Sequence, residues 1–330
     1  MGVVAVEIID LRHFTSADLR PLLEEETEAW GRLLSWDYSS SADMILRYVD
    51  ARILPGYAAV ERGRLHGYSF FVYEGGKGVI GDLFVASESV NGDGHAIENR
   101  LVTHVVETLQ QSPGVRRIEA QLLVHKTGTV SAPFTEQGFR QFPRLFMALP
   151  LMDESGSGDR NGKALRAAQI LSPAPFEIRP WSEQDYQPAA ALITTCYKGH
   201  VDSEINDQYR STQGALRFLN NIVRFPGCGF FDGAASFAAI EKKTGAMVGL
   251  ILCSRVKNDV GHVTQVCVLP QFRGVHLGWA LMEASANALR RRGFSLLSLT
   301  VTEANQNAVE LYKRLGFRTD RVFDAFVWES

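Results

Sequence analysis

The sequence of 330 residues has no long apolar run, few cysteines and no marked excess of either charge. Its apolar stretches fall well short of the roughly 20 residues that a membrane-spanning helix needs, so we expect no transmembrane segment. The N-terminus lacks a basic region before its apolar residues, which argues against a secretory signal. A net charge of −3 gives no general attraction to nucleic acid or to an anionic membrane. We therefore expect a cytoplasmic protein that binds neither nucleic acid nor membranes.

The four cysteines lie in the second half of the sequence and are not closely paired. Their spacing is unlike that of a disulfide framework or a zinc site. We expect reduced thiols and no bound metal. The four residues are Cys196, Cys228, Cys253 and Cys267.

Length and composition predict two globular domains. At roughly 150 residues per domain, 330 residues correspond to two. A hydrophobic content of 45% leaves ample material for two cores. Residues 153–163, D-E-S-G-S-G-D-R-N-G-K, are polar and rich in glycine and serine, as linkers are. We predict one domain over residues 1–152, a linker over 153–173 and a second domain over 174–330.

The two halves share a repeat that is visible in the residues themselves. Some identities recur 167 positions later, and others recur at somewhat larger offsets. A repeat of this length indicates two copies of one domain. Arg12, Asp18 and Pro21 recur as Arg179, Asp185 and Pro188. The run A-A-V-E at 58–61 recurs as A-A-I-E at 238–241, and G-F-R at 138–140 recurs at 316–318.

The stretch over residues 265–278, Q-V-C-V-L-P-Q-F-R-G-V-H-L-G, predicts a strand end, a glycine-containing turn and a helix. Pro270 removes a ladder donor and ends the apolar, β-branched strand. Apolar residues then recur at helical spacing from Leu277 onward. The free N–H groups at the helix start, with Arg273 beside them, favour an anion such as a pyrophosphate. Considered alone, the turn fits a plain strand-to-helix connection equally well.

Two further segments follow in the order that one enzyme family uses. Residues 295–302, S-L-L-S-L-T-V-T, predict a buried strand, and residues 305–317, N-Q-N-A-V-E-L-Y-K-R-L-G-F, predict a short helix. Together with R-G-V-H-L-G at 273–278, they resemble the GNAT family of N-acetyltransferases. The phosphate-binding turn of that family is usually R/Q-x-x-G-x-G/A, and its motif N-x-x-A-x-x-L-Y-x-x-x-G-F is matched in full.

The resemblance implies a mixed α/β fold of two tandem acetyltransferase domains, each a twisted, mostly antiparallel sheet flanked by helices. It also implies acetyl-CoA as the cofactor. One departure is His276, which replaces the middle glycine of the turn, so its ring would either crowd the phosphate or turn outward and add a donor. Asn305 would contact the cofactor or cap the following helix. The implied cofactor-binding residues are Val266, Cys267, Val268, Arg273, Gly274, Val275, His276, Leu277, Gly278, Trp279, Asn305 and Tyr312.

The resemblance also implies direct attack of an amine on the thioester. The cofactor arm would pair with the strand before the turn, at a bulge, and the Val268 N–H would polarise the carbonyl. Tyr312 would protonate the thiolate, unless it is only a core aromatic. His262 is the candidate base, unless it is a hydrogen-bonded strand histidine. Gln265 stands where the family often has a carboxylate. Other candidate bases are His200, Asp202, Glu204 and a water chain.

The repeat predicts that the first domain has lost cofactor binding and chemistry. When the first half is aligned with the second half, it has no counterpart of the Arg273 guanidinium, the Asn305 amide or the Tyr312 phenol. It also has a carboxylate where a phosphate would lie. At offsets of 183 and 178, the pairs are Val85 with Val268, Val90 with Arg273, Asp93 with His276, Thr127 with Asn305, and Phe134 with Tyr312.

We therefore expect an N-acetyltransferase that moves an acetyl group from acetyl-CoA to a primary amine of a small molecule or peptide. The chain would be a monomer with pseudo-dimeric tandem domains or a homodimer. The acidic residues Asp202, Glu204 and Asp207 would attract a cationic amine or form an ordinary solvated loop. The alternative function is a non-catalytic acyl-CoA-binding sensor or scaffold. A P-loop is excluded because its lysine-serine pair is absent.

Overall fold

The chain forms two compact units of mixed α/β structure. The computed structural model describes residues 6–86, 94–152, 175–224 and 229–330. The first unit comprises Met1–Arg144 and Val322–Ser330, and the second comprises Leu145–Arg321. The first unit therefore includes the C-terminal end of the second half of the sequence, and the second unit includes the end of the first half. The linker expected over residues 153–173 lies outside the described residues, and the division of the sequence into two domains stays a prediction.

Strands and helices follow one another along the described part of the chain. The strands are β1 (Glu7–Asp10), β2 (Gly56–Glu61), β3 (Arg64–Glu74), β4 (Lys77–Val85), β5 (Arg117–Gln121), β6 (Arg140–Pro150), β7 (Phe176–Pro180), β8 (Phe230–Phe231), β9 (Phe237–Glu241), β10 (Met247–Lys257), β11 (Val260–Val268), β12 (Leu296–Thr302) and β13 (Arg318–Glu329). The α-helices are α1 (Ser16–Leu34), α2 (Ser39–Asp50), α3 (Gly94–Gln111), α4 (Ser131–Glu136), α5 (Tyr186–Cys196), α6 (Val201–Ile205), α7 (Thr212–Arg224), α8 (Leu277–Arg291) and α9 (Gln306–Arg314). None of these helices, within the described ranges, has the length and hydropathy of a membrane crossing.

The first unit is built on a sheet with the strand order β1-β2-β3-β4-β5-β13. Its neighbouring strands are antiparallel, except that β4 runs parallel to β5. Side chains alternate between the two faces of a strand. Ala58 accordingly packs in the core with α1 and α2, while its neighbour Ala59 packs in the core with α3 and α4. Both faces of this sheet are therefore covered by helices.

The second unit has the strand order β7-β9-β10-β11-β12-β6, with the short β8 beside β10. Again the sheet is mostly antiparallel, and β11 runs parallel to β12. Leu250 and Cys267 pack in the core with α5 and α7. The other face is covered by α8, since a Cβ on Gly249 would lie 3.1 Å from Leu281 Cδ1. The predicted α/β class, with mostly antiparallel sheets flanked by helices, is confirmed.

Local structure recurs at the offsets that the sequence repeat predicts. Thr15 with Asp18 forms a capping box before α1, and Ser182 with Asp185 forms one before α5, which is an offset of 167. The Phe139 N–H donates to the Phe134 carbonyl at 3.0 Å, and the Phe317 N–H donates to the Tyr312 carbonyl at 3.0 Å, which is an offset of 178. The β4–β5 ladder (Lys77 to Ile80) and the β11–β12 ladder (Val260 to Val263) differ by 183. The two units are therefore built on one plan.

The core of the first unit contains a fully buried carboxyl group, that of Glu26. Trp30 Nε1–H donates to its Oε1 at 3.1 Å, and Tyr68 O–H donates to its Oε2 at 2.5 Å. Burial, together with the neighbouring Asp82, raises the pKa of Glu26 well above its ordinary value. No cation lies among these partners, so the protonated carboxyl is the form that fits this site.

Glu26→Gln should flatten the dependence of stability on pH. The pKa of Glu26 is raised in the folded state, so its stabilising protonated form is fully present below about pH 4.3 and is lost as pH rises toward the folded pKa. The urea midpoint of the wild type should therefore fall more between pH 5 and pH 8 than that of Glu26→Gln. Glu28→Gln, which removes an exposed charge from the same helix, should keep the wild-type slope. Parallel slopes for Glu26→Gln and the wild type would contradict this account.

Candidate active site

Strand β11 separates from β12 partway along its length. The two strands pair from Val260 to Val263 and no farther. The register between β10 and β11 slips after that point, because Leu252 is opposite Gln265 while Cys253 is opposite Val263, which leaves Thr264 as the extra residue. A bulge of this kind bends a strand and ends its pairing. The opening that the family resemblance implies is therefore present.

The N–H of Val268 faces this opening. Leu269 donates its N–H to the Val248 carbonyl at 2.9 Å, toward β10. Main-chain groups of successive residues in a strand point alternately to opposite sides. The N–H groups of Val268 and Val266 therefore point away from β10, where β12 is no longer paired. An extended ligand could add itself there as a strand.

The turn before α8 presents a row of free N–H groups. Among the described residues, the N–H groups of residues 274–279 donate no hydrogen bond, whereas Ala280 donates to the His276 carbonyl at 3.0 Å. Gly274 has a φ of 80° and His276 a φ of 61°, both left-handed. Such turns form concave N–H clusters that bind anions, and the helix dipole adds to this attraction.

Arg273 places a positive charge beside these amides. Its Nε–H donates to the Val268 carbonyl and its Nη2–H donates to the Cys196 carbonyl, both at 3.4 Å. Bonds of this length are weak. The exposed guanidinium is therefore held over the end of β11 but can still pair with a phosphate.

Residues 200–317 match the sequence profile of the "Acetyltransferase (GNAT) family". These residues are thus similar to a GNAT acetyltransferase domain. The match agrees with the motifs and with the geometry of the turn. The whole chain shares its fold with solved structures. The structural match to a GCN5-related N-acetyltransferase from Sphaerobacter thermophilus covers 98% of this chain and 95% of that chain, at a TM-score of 0.66 and 16% identity. The structural match to a tandem GNAT protein from the clavulanic acid biosynthesis pathway covers 98% of each chain, at a TM-score of 0.59 and 14% identity. The predicted tandem acetyltransferase fold is thereby confirmed.

Two curated relatives each match less than half of this chain. An uncharacterized N-acetyltransferase of Methanocaldococcus jannaschii is 34% identical over 44% of this chain and 62% of its own length. A mycothiol acetyltransferase of Thermobispora bispora is 38% identical over 27% of this chain and 31% of its own length. The chain thus spans less than two thirds of these relatives. A mycothiol acetyltransferase of Nocardiopsis dassonvillei is 27% identical over 79% of this chain and 78% of its own length.

Within the residues that match the GNAT profile, His276 stands at the N-cap of α8, where the usual motif has glycine. Its side chain is exposed and caps no helix N–H. A left-handed residue with a Cβ costs on the order of 1 kcal/mol or more. Both alternatives for the ring, crowding of the phosphate and an added donor, therefore stay predictions.

Several predicted cofactor residues could contact a ligand only through their main chain. The side chains of Leu277 and Cys267 are buried in the core, with 1% and 8% of their surface exposed. A Cβ on Gly278 would lie 3.5 Å from Leu311 Cδ2 and 4.0 Å from Val268 Cγ2. The first turn of α8 thus lies close to the end of β11, which brings the amide row and the Val268 N–H together.

Tyr312 on α9 has a buried ring and a hydroxyl group that makes no hydrogen bond within the described ranges. Burial raises the pKa of Tyr312 above its ordinary value, and the nearby Asp202 and Cys267 raise it further. The phenol therefore stays protonated at neutral pH. The phenol lies close enough to Cys267, on β11, to interact with it electrostatically.

Asn305 caps α9. Its Oδ1 accepts the Ala308 N–H at 3.4 Å. The capping alternative is thus confirmed, while a contact from Asn305 to the cofactor stays a prediction.

His262 lies before the opening, in the part of β11 that pairs with β12. It is 5% exposed, its Nδ1 is 2.9 Å from Ser298 Oγ, and its ring stacks on Phe146. A hydrogen-bonded strand histidine is therefore what the structure contains, and the role of base stays a prediction.

The other candidate bases lie around α6. His200 Nδ1 accepts the Asp202 N–H at 3.1 Å, so the neutral ring carries its proton on Nε2. The Asp202 carboxylate lies 3.6 Å from the same Nδ1 and accepts a hydrogen bond from the Thr302 hydroxyl at the end of β12. Asp202 is therefore tied to the site rather than being part of a solvated loop.

Sequence analysis missed Tyr197, which ends α5. It is 9% exposed, its O–H donates to Gln265 Oε1 at 2.9 Å, and its ring stacks on Tyr209 with centroids 4.4 Å apart. Burial, with Tyr209 and Asp202 nearby, raises the pKa of Tyr197. No local pattern signals this contact, because it joins residues 68 positions apart.

The first unit contains a different set of groups at the matching place. Phe134, at the position of Tyr312, is fully buried and stacks on Phe326 at 4.1 Å. A cavity of about 350 Å³ beside Phe84 and Val85, which match Cys267 and Val268, is lined by three carboxylates together with Arg32 and His125. Val90 and Asp93 lie outside the described residues. The acidic lining residues are Glu25, Glu28 and Glu98.

Proposed function

We propose that the chain is an acetyl-CoA-dependent N-acetyltransferase and that its second unit acetylates a primary amine of a small molecule or peptide by direct attack. The observation that carries this is the row of free amides at residues 274–279, placed directly beside the open edge of β11. The names of the relatives support it, since they include mycothiol acetyltransferases and an N-alpha-acetyltransferase of Sulfurisphaera tokodaii. The cofactor preference, the amine and the mode of attack belong to this proposal.

The residues present fit an acyl-CoA. The amides of residues 274–279 and the Arg273 guanidinium offer donors and positive charge for a diphosphate. The N–H groups of Val266 and Val268 offer strand-like partners for an amide-containing arm. Acetyl-CoA, when bound, supplies the activated acetyl group.

The Val268 N–H would donate to the thioester oxygen as negative charge develops there. Such a donor acts most strongly where it is fixed in advance and shielded from water. The strand fixes it here, and the first turn of α8 lies next to it.

The amine nitrogen would form a bond to the carbonyl carbon while the carbon–sulfur bond breaks. Tyr312 would give its phenolic proton to the departing sulfur. The extra proton on the newly acylated nitrogen would leave through a base or water, and a proton from solvent would restore the phenol. The raised pKa of Tyr312 keeps this proton in place at neutral pH.

The first unit would act as a structural partner. Its matching cavity presents three carboxylates against one arginine, Arg32, a balance that disfavours a diphosphate, and its matching aromatic, Phe134, has no hydroxyl group. One molecule of acetyl-CoA per chain is therefore expected.

A non-catalytic acyl-CoA sensor or scaffold is the second candidate. The observation that favours it is the absence of a carboxylate on β11 at the opening, where Gln265 stands, combined with the bond from His262 to Ser298. Release of CoA thiol on addition of amines separates the two functions.

Arg273→Ala should weaken acetyl-CoA binding about tenfold, because one charged phosphate partner is lost. His276→Gly should change the affinity by less than about threefold, because the donors at the turn are main-chain groups. Isothermal titration calorimetry with acetyl-CoA measures both effects. Arg291→Ala removes the same charge from the other end of α8 and should bind like the wild type. Wild-type affinity in Arg273→Ala, or no binding heat in the wild type, would refute the proposed site.

Tyr312→Phe should lower kcat by about 100-fold or more, as expected for a lost general acid, with a much smaller change in the KM for acetyl-CoA. The rate of wild-type acetyl transfer should not fall up to about pH 9, since the pKa of Tyr312 is raised above its ordinary value near 10. Tyr186→Phe removes another buried hydroxyl group from the same unit and serves as the control. If both variants turn over alike, Tyr312 is not the acid.

A further inference from the structure

Gln265 carries a buried amide whose Nε2 has no hydrogen-bond partner. The residue lies on β11 just past the bulge, and it is 4% exposed. Its Oε1 accepts the Tyr197 O–H at 2.9 Å, while Nε2 is buried without a partner in the described part of the chain. A buried donor left unsatisfied destabilises a protein, so such a group calls for a ligand or an ordered water.

Tyr197 fixes which end of the amide is free. Its ring is held between neighbours, stacking on Tyr209 and meeting His200 edge-on. Its hydroxyl stays protonated and donates, so it holds the amide oxygen and leaves the NH₂ group to face another acceptor.

The first unit provides an internal comparison. At an offset of 183, Gln265 matches Asp82 on β4. The Asp82 carboxylate is fully engaged by its own unit, accepting the Tyr38 O–H at 2.5 Å and the Leu83 N–H at 2.9 Å. The unpartnered amide therefore belongs to the unit that has the open strand edge and the phenol of Tyr312.

A carboxylate lies near this amide. Asp202 is held by the Thr302 hydroxyl at the end of β12. Asp202 and Tyr312 both lie close enough to Tyr197 to raise its pKa. The His200 ring meets that of Tyr197 with centroids 5.1 Å apart, and its Nδ1 lies 3.6 Å from the Asp202 carboxylate. The Gln265 amide, 2.9 Å from the Tyr197 hydroxyl, therefore lies in the same part of the site as Asp202 and the proposed acid.

We propose that the Gln265 Nε2 group and the Asp202 carboxylate together select amines that carry a neutral carbonyl oxygen next to the amine-bearing carbon. The carbonyl accepts from Gln265, and Asp202 attracts the amine. The N-terminal residue of a peptide and an amino acid amide have this arrangement. This inference rests on the proposed acetyl transfer and narrows its substrate.

The charges disfavour a free amino acid. Its carboxylate, placed at Gln265, would approach Asp202, and like charges in a poorly solvated site repel each other strongly. An amide carbonyl accepts the same hydrogen bond without that repulsion. L-Alaninamide should therefore be a better acceptor than L-alanine.

The test compares L-alaninamide with isopropylamine, in which a methyl group replaces the carboxamide. The ratio of their kcat/KM values, measured by release of CoA thiol, reports the selectivity. Gln265→Leu should lower this ratio about tenfold relative to the wild type, because one hydrogen bond to the carbonyl is lost. The intrinsic reactivities of the two amines cancel in this comparison.

Two further variants keep the test decisive. Ser254→Ala also removes a buried polar atom without a partner and should leave the ratio at the wild-type value. Tyr197→Phe frees the amide to rotate and should lower the ratio less than Gln265→Leu does. If Gln265→Leu does not fold, the ratio measured for Tyr197→Phe tests the proposal instead.

The outcomes separate the two proposals. If the wild type acetylates both amines and neither Gln265→Leu nor Tyr197→Phe changes the ratio, the subsite is wrong and the proposed function stands. If the wild type binds no acetyl-CoA in calorimetry, or releases no thiol with any amine, the proposed function fails and the subsite fails with it.

Discussion

The loss of pairing between β11 and β12 beyond Val263 is the constraint on which the rest of the site depends. Main-chain groups inside a protein are almost always paired, and an open strand edge beside the core is therefore a costly feature. Here the bulge at Thr264 ends the ladder, and the N–H groups of Val266 and Val268 are directed into the gap. The left-handed turn at residues 274–276 then starts α8 next to the same strand end. Two sets of unpaired donors thus meet, and together they suit a ligand with both a diphosphate and a chain of amides.

The two units show that one backbone plan can support different chemistry. Both have a ladder of four residue pairs followed by an opening, and both have a short helix whose ring-bearing residue packs against a following phenylalanine. In the second unit, the ring carries the hydroxyl of Tyr312 and the strand carries the unsatisfied amide of Gln265. In the first unit, the ring is Phe134, and Asp82 has its own partners. The backbone plan is therefore shared, and the side chains at a few positions decide the chemistry of each unit.

Much of this could be predicted from sequence because the signals are local. The turn at residues 273–278 and the helix over 305–317 depend on spacings within a dozen residues, and both are present as α8 with its turn and α9 with its Asn305 cap. Contacts between distant segments left no such signal. Tyr197 meets Gln265 across 68 positions, and Thr302 meets Asp202 across 100. Placement of residues 322–330, which include most of β13, in the first unit also depends on long-range pairing, with β5. Composition and periodicity do not encode such pairings.

The most direct test of the central claim is a crystal structure of the full chain with CoA. The account predicts one molecule per chain, with diphosphate oxygens about 3 Å from the N–H groups of residues 274–279 and the arm beside Val266 and Val268. A CoA molecule bound in the acidic cavity of the first unit, or a complex in which the row of amides at residues 274–279 contacts only solvent, would contradict it.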